Sequence, residues 1–235
     1  MKKNFAYLLT VGAFAVTSFV PLLRAAAADT ADTTKRLDES ATVFSEIMAS
    51  PDHGIPHDLM AKAHCIAIVP SVKKAAFIVG AKYGKGFISC RREVNGRWSP
   101  PAAIRIEGGS FGFQIGGSDT DVVLLVMNEG GVNKLLNDKF TLGGEGSIAA
   151  GPVGRDASAQ TDAQMTAEIL SWSRTRGLFA GVSLTGATLR QDLDDNAALY
   201  GERLTNRQIV KEREAAPPQG SGRLMEELNR YTEKK

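Results

Sequence analysis

Residues that perform covalent chemistry or hold metals are scarce in this chain. It has three histidines, His53, His57 and His64, and two cysteines, Cys65 and Cys90. His53 and His57 stand four apart, a spacing that serves a metal only when one helix carries both. Gly54 and Pro56 lie between them and break such a helix. No partner carboxylate or thiol has metal-ligand spacing, so these are expected as surface or loop histidines. There is no G-x-S-x-G elbow for a nucleophile. The glycine strings GKG at 84–86 and GGSFGFQIGG at 108–117 lack the G-x-x-x-x-G-K-[ST] pattern, and neither has an acid placed for a ribose. An excess of one charge is missing too: 28 Lys and Arg stand against 26 Asp and Glu. That balance excludes a generic nucleic-acid binder, which needs a strongly basic domain. No repeat of fixed period is present. These absences point to a protein without catalysis, cofactor or metal.

Apolar runs are short. Phe5 to Val20 is the main one, shorter than the ~20 residues of a membrane span and interrupted at its end by Pro21 and Arg24. Lys2 and Lys3 precede it, and Ala25 to Ala28 follow as an A-x-A cleavage site. The segment 1–28 therefore reads as a signal peptide. No cysteine sits at the cleavage site, which speaks against a lipoprotein. Export to the periplasm or cell envelope of a Gram-negative bacterium is expected. Cleavage would remove Lys2, Lys3 and Arg24 and no acid, leaving 25 basic residues against 26 acidic ones. The remaining length suits one domain with a substantial core. A domain over 29–214 is followed by Pro217-Pro218-Gln219-Gly220-Ser221-Gly222, a linker within 215–235 that precedes a short helix.

What is present is a run of short, Gly-punctuated strands. Helices are expected at about 34–49 and 56–64. The first puts Leu37, Ala41, Phe44 and Met48 on one face, with Glu39 and Glu46 opposite. Interfacial helices carry Lys and Arg on the polar face, so this one is expected to dock on the sheet. Val69-Pro70-Ser71 is expected to end a first strand, 65–70. Further strands are expected at 75–82, 86–92, 101–106, 110–116, 120–127, 164–173 and 177–189. Helices at 192–200 and 205–214 close the domain, and Leu224, Leu228 and Tyr231 sit at helical spacing in the tail. The fold class is α+β: a curved, mostly antiparallel, Gly-rich sheet or barrel covered by N- and C-terminal helices.

Charge is unevenly placed along this sheet. From Lys62 to Arg105 there are nine basic residues and one acid, Glu93. From Ile106 to Gly201 there are twelve acids and six bases. In a simple meander, alternate turns lie at opposite ends. Lys73 and Lys74 would then share one rim with Arg91, Arg92 and Arg97, and Lys82 and Lys85 would occupy the other. Arg174 and Arg176 flank the SRTRG turn and add to either rim. The two cysteines are left open. An oxidising compartment favours their pairing, but the meander puts them at opposite ends, beyond the ~7 Å that a bridge requires. A disulfide would exclude the simple meander.

The segments IVPSVKKAAFIVGAKYGKG, GGSFGFQIGGSDTDVVLLVMN, AAGPVGR and SWSRTRGLFAGVSLTGA occur here in that order. They resemble the SYLF domain, also called the Ysc84-like domain, over about residues 35–201. The resemblance implies binding of phospholipids, including phosphoinositides in eukaryotic members, without known catalysis. Eukaryotic members also carry SH3 or FYVE domains and can bind actin. With the resemblance, the basic rim reads as a docking surface for anionic phospholipid headgroups at a membrane. Two other classes stay in view: a lipid carrier with an internal acyl-chain cavity, and an envelope module that binds a protein partner.

Overall fold

The computed structural model describes residues 20–77, 79–91, 96–111, 116–151, 167–175, 178–179, 184, 186–212 and 215–231. Helix α1 spans Val20–Met48 and α2 spans His57–Lys62. Strands β1, Cys65–Phe77, and β2, Val79–Cys90, form a hairpin, followed by β3, Ala102–Phe111, and β4, Gly116–Val126. Then come α3, Glu129–Leu135, β5, Lys139–Thr141, β6, Ile148–Ala150, β7, Ile169–Thr175, and β8, Leu178–Phe179. Strand β9, Thr188–Gln191, leads into α4, Leu193–Tyr200, a π-helical turn, Gln208–Glu212, and α5, Gly222–Arg230. The strands form one curled sheet in the order β5-β9-β3-β2-β1-β4-β7-β6, with β8 on β7. The described pairs are antiparallel except β6 with β7. The expected class, a curved and mostly antiparallel sheet with helices at both ends of the chain, is what forms.

Both faces of the sheet are covered. Val69, Ile88, Ile104 and Leu124 point inward to a core closed by α3, Phe140 and the π-helical turn. Ile66, Ile68, Phe87 and Val123 point outward against α1, α2 and α5. Burial on both sides explains why strands such as DVVLLVM are apolar throughout rather than alternating. Helix α1 docks its stripe as expected: Leu37, Ala41, Phe44 and Ile47 are fully buried. It also starts earlier than expected, since residues 20–33 are helical as well. Thr33 donates its hydroxyl to the Asp29 carbonyl and is itself buried, so the polar side chain closes on its own helix.

The largest departure lies in β1. Pro70 and Ser71 do not end the strand; they form a bulge inside it, where the register shifts against both β2 and β4. Ser71 takes a positive φ of 55° and its amide donates to Asp121 Oδ1 at 3.1 Å. Proline is tolerated at bulges because the ladder bond is already lost there. The expected strands 65–70 and 75–82 are therefore one strand and part of its hairpin partner. Gly86 fits the crowded inner face at this point, where a Cβ would stand 2.1 Å from the Ile68 carbonyl oxygen. The hairpin brings Cys65 opposite Cys90, and they are joined by a disulfide with Cα atoms 4.0 Å apart. The bond excludes the simple meander.

The C-terminal elements are tied down by polar contacts. Asn196 on α4 accepts from the Ala103 amide at 2.7 Å and donates to the Leu204 carbonyl and to Asn206 Oδ1, both at 2.8 Å. The tail docks: Leu224 and Leu228 are buried, and Trp98 Nε1 donates to the Leu228 carbonyl at 3.1 Å. Trp98 is thus a packing residue.

Candidate functional site

Helix α1 crosses the outer face at the level of the bulge. Arg36 reaches Asp195 at 2.7 Å on one side, and Glu46 contacts Arg174 at 2.5 Å on the other. Beyond that level the four central strands run on. Ala81, Tyr83, Gly109, Gly117, Ser118 and Asp119 are exposed there. Tyr83 is 48 % accessible, the large hydrophobic side chain left exposed among the described residues.

This end of the sheet carries three lysines. Lys74 pairs directly with Lys82 on β2 and with Ser118 on β4, and Lys82 pairs with Gly108 on β3. Directly opposed residues share a face, so Lys74 and Lys82 both stand on the inner side. Lys73, one residue away, stands on the outer side opposite Tyr83 and Asp119. Partial burial lowers the Lys82 ammonium below its usual pKa, and the charge of Lys74 lowers it further. Like charges placed opposite each other destabilise a sheet.

The five-cation rim does not form. Lys73 and Lys74 lie within a strand, not in a turn, and Lys82 is beside them rather than at the other end. Arg91 follows Cys90 at the disulfide end, eight residues of β1 away from Lys73, or roughly 25 Å. It is buried, donates to the Met60 and Ala61 carbonyls at 2.8 and 3.0 Å, and stacks on Trp98 at 4.4 Å. Burial lowers its pKa, and its work is to fasten α2 to β2. Arg97 is exposed at that same end. Arg92 and Arg176 lie outside the described residues.

Two further cations are internal counter-charges. Lys85 contacts Asp195 at 2.8 Å and Asp192 at 3.0 Å. Burial would lower its pKa, but the bonds to these carboxylates raise it. Burial likewise opposes the Arg174 charge, and Asp121, at 2.9 Å, with Glu46 outweighs it. His64 contacts Glu129 at 3.2 Å, and no metal-binding group of His, Cys, Asp and Glu occurs among the described residues. The bulge decides these neighbourhoods. Its signal in the sequence was Pro70 inside an apolar run, together with two cysteines that needed to meet.

Comparison with known proteins gives the family. The family model described as Ysc84, Las17-binding protein actin regulator, matches residues 107–231. SH3 domain-containing YSC84-like protein 1 of Xenopus laevis is 35% identical over 201 residues, covering 85% of this chain and 59% of its own length. The Homo sapiens protein of the same name is 36% identical over 194 residues, covering 81% and 56%. LAS seventeen-binding protein 3 of Saccharomyces cerevisiae is 34% identical over 170 residues, covering 71% and 37%. The chain thus spans little more than half the length of the vertebrate relatives, and less of the yeast one. With this identity over most of its residues, the chain belongs to the Ysc84 (SYLF) family.

Proposed function

We propose that this chain is a non-catalytic module that binds anionic phospholipid headgroups through the projecting end of its sheet. Lys73, Lys74 and Lys82 make the contact, replacing the larger rim expected from the sequence. The observation that carries the reading is the opposition of Lys74 and Lys82, two cations held face to face on one surface. Near an anionic bilayer each such residue contributes about 1 kcal/mol. Tyr83 beside Lys73 adds an amphipathic ring of the kind found at membrane interfaces.

The reading includes export. The segment 1–28 supports it, and so does the Cys65–Cys90 disulfide, because such bonds persist in oxidising compartments. Cleavage there would keep the part of α1 that carries the buried Thr33, Leu37, Ala41 and Phe44. No helix among the described residues is long and apolar enough to cross a membrane.

Co-sedimentation with vesicles of phosphatidylcholine alone, or with phosphatidylglycerol added, tests the function. Binding should require the anionic lipid and weaken with salt. Binding that persists in salt, with lipid retained through purification, would favour a carrier. Failure to bind any vesicle would favour a protein partner, the activity that the family description names for its Las17-binding members.

A further inference from the structure

A second concentration of cations lies on the outer face, towards the β5 edge of the sheet. Lys85 is opposite Arg105, Arg105 opposite Arg190, and Arg190 opposite Lys139. Four cations thus form one row across β2, β3, β9 and β5. Such a row repels itself and needs counter-charge. At the Lys85 end, Asp192 and Asp195 supply it. Arg105 also lies 3.9 Å from Asp192, and beyond it the supply is thin. Glu107 serves two guanidinium groups, at 2.6 Å from Arg105 Nε and 3.8 Å from Arg190 Nε. The Arg190 Nε–H is buried and makes no hydrogen bond. Lys139 is exposed.

These groups line a cleft of about 350 Å³ between the sheet edge and α4. Its ionisable walls are Arg105, Lys139, Arg190 and Arg203 against Asp138 and Asp194. Both acids are already engaged. Asp194 pairs with Arg203 at 3.1 Å, and Asp138 accepts from the Gln191 amide. The volume falls in the range of small-molecule sites, about 300–1,000 Å³. Planar guanidinium forks match phosphate oxygens bidentately. A carboxylate brings one charge and two oxygens. A phosphate monoester brings nearly two charges and three oxygens above its second pKa of about 6. Leu193 gives the wall one apolar side chain.

We propose that this cleft binds a phosphate monoester, held between Arg105 and Arg190 with Lys139 and Arg203 at its mouth. The site shares no residue with Lys73, Lys74 and Lys82, so it stands or falls independently of the membrane reading.

Isothermal titration calorimetry at pH 8 with glycerol 3-phosphate is the test. The wild-type chain should bind it. Arg190→Gln should weaken binding at least tenfold and Lys139→Gln severalfold, while the Lys74→Glu, Lys82→Glu double variant should leave it unchanged. Lys139 is exposed, so Lys139→Gln keeps the test valid if Arg190→Gln does not fold. A second arm uses phosphatidylcholine vesicles containing phosphatidic acid, whose headgroup is also a monoester. Binding to these vesicles but not to glycerol 3-phosphate, lost in Arg190→Gln and Lys139→Gln, would identify the source as lipid and still support the site. The proposal is overturned if neither probe binds, or if binding survives both cleft substitutions.

Discussion

Lys74 stands directly opposite Lys82 on the inner face of the β1–β2 hairpin, and its charge adds to burial in lowering the Lys82 pKa. The pair separates stability from binding. Lys74→Glu replaces a like-charge pair with an opposite-charge one and should gain roughly 0.2–1 kcal/mol in chemical denaturation. The same substitution should weaken attachment to phosphatidylglycerol vesicles and flatten its salt dependence. A variant that binds vesicles as tightly as the parent would remove this pair from the interface.

The hairpin is closed at its other end by Cys65 and Cys90, with a sequence separation of 25. Removing a bridge over a loop of that size costs about 3.5 kcal/mol in the chain-entropy account. Replacing both cysteines with Ala, or adding reductant, should lower the denaturation midpoint accordingly. An unchanged midpoint would mean that the β1–β2 ladder holds the hairpin without the bond.

Stability should depend on pH at both extremes. Burial pushes the Asp192 carboxyl up, but Lys85, the Asp195 amide and Arg105 hold it below its ordinary 3.8. Its contribution is therefore present above about pH 4 and lost as pH falls through the lower folded value. Glu129, held down by Lys211 and His64 against partial burial, acts with the same sign. Lys85 is raised above 10.5, so its contribution is present below that value and lost as pH rises through the folded one. Asp192→Asn keeps the side-chain cap on the Asp195 amide but loses the charge. It should cost about 1–3 kcal/mol at pH 7 and shallow the acid limb of a stability–pH curve. An acid limb of unchanged depth would place the titrating group elsewhere.

Phe44 is fully buried between α1 and the sheet, with its ring edge-on to Tyr231 at 5.7 Å. Phe44→Ala should cost about 3–5 kcal/mol. A loss under about 1 kcal/mol would show that α1 is not part of the core and would reopen its role as a surface helix.

Much of the fold was legible from local pattern. The stripe of Leu37, Ala41 and Phe44 recurs at helical spacing, and a face that buries in isolation must bury somewhere. The doubly apolar strand before Met127 announced cover on both sides. The helix that became α4 was legible too, because its Asp192 cap and the Gly201 stop, with φ 74°, are local devices.

The candidate site was not legible, for a physical reason. Its neighbourhoods are set by strand register, and a bulge of one extra residue sends every later side chain to the other face. Sequence alone determined that a curved, mostly antiparallel sheet forms, that basic residues concentrate between Lys62 and Arg105, and that few groups for catalysis exist. Tertiary structure decided that Lys74 meets Lys82, that Cys65 meets Cys90, and that Arg91 is an internal fastener. It also decided that Lys85 spends its charge on Asp195, 110 residues away. Charge along a chain is a local property. The partner of each charge is fixed by long-range pairing, through a bulge that only β2, β4 and Asp121 together define.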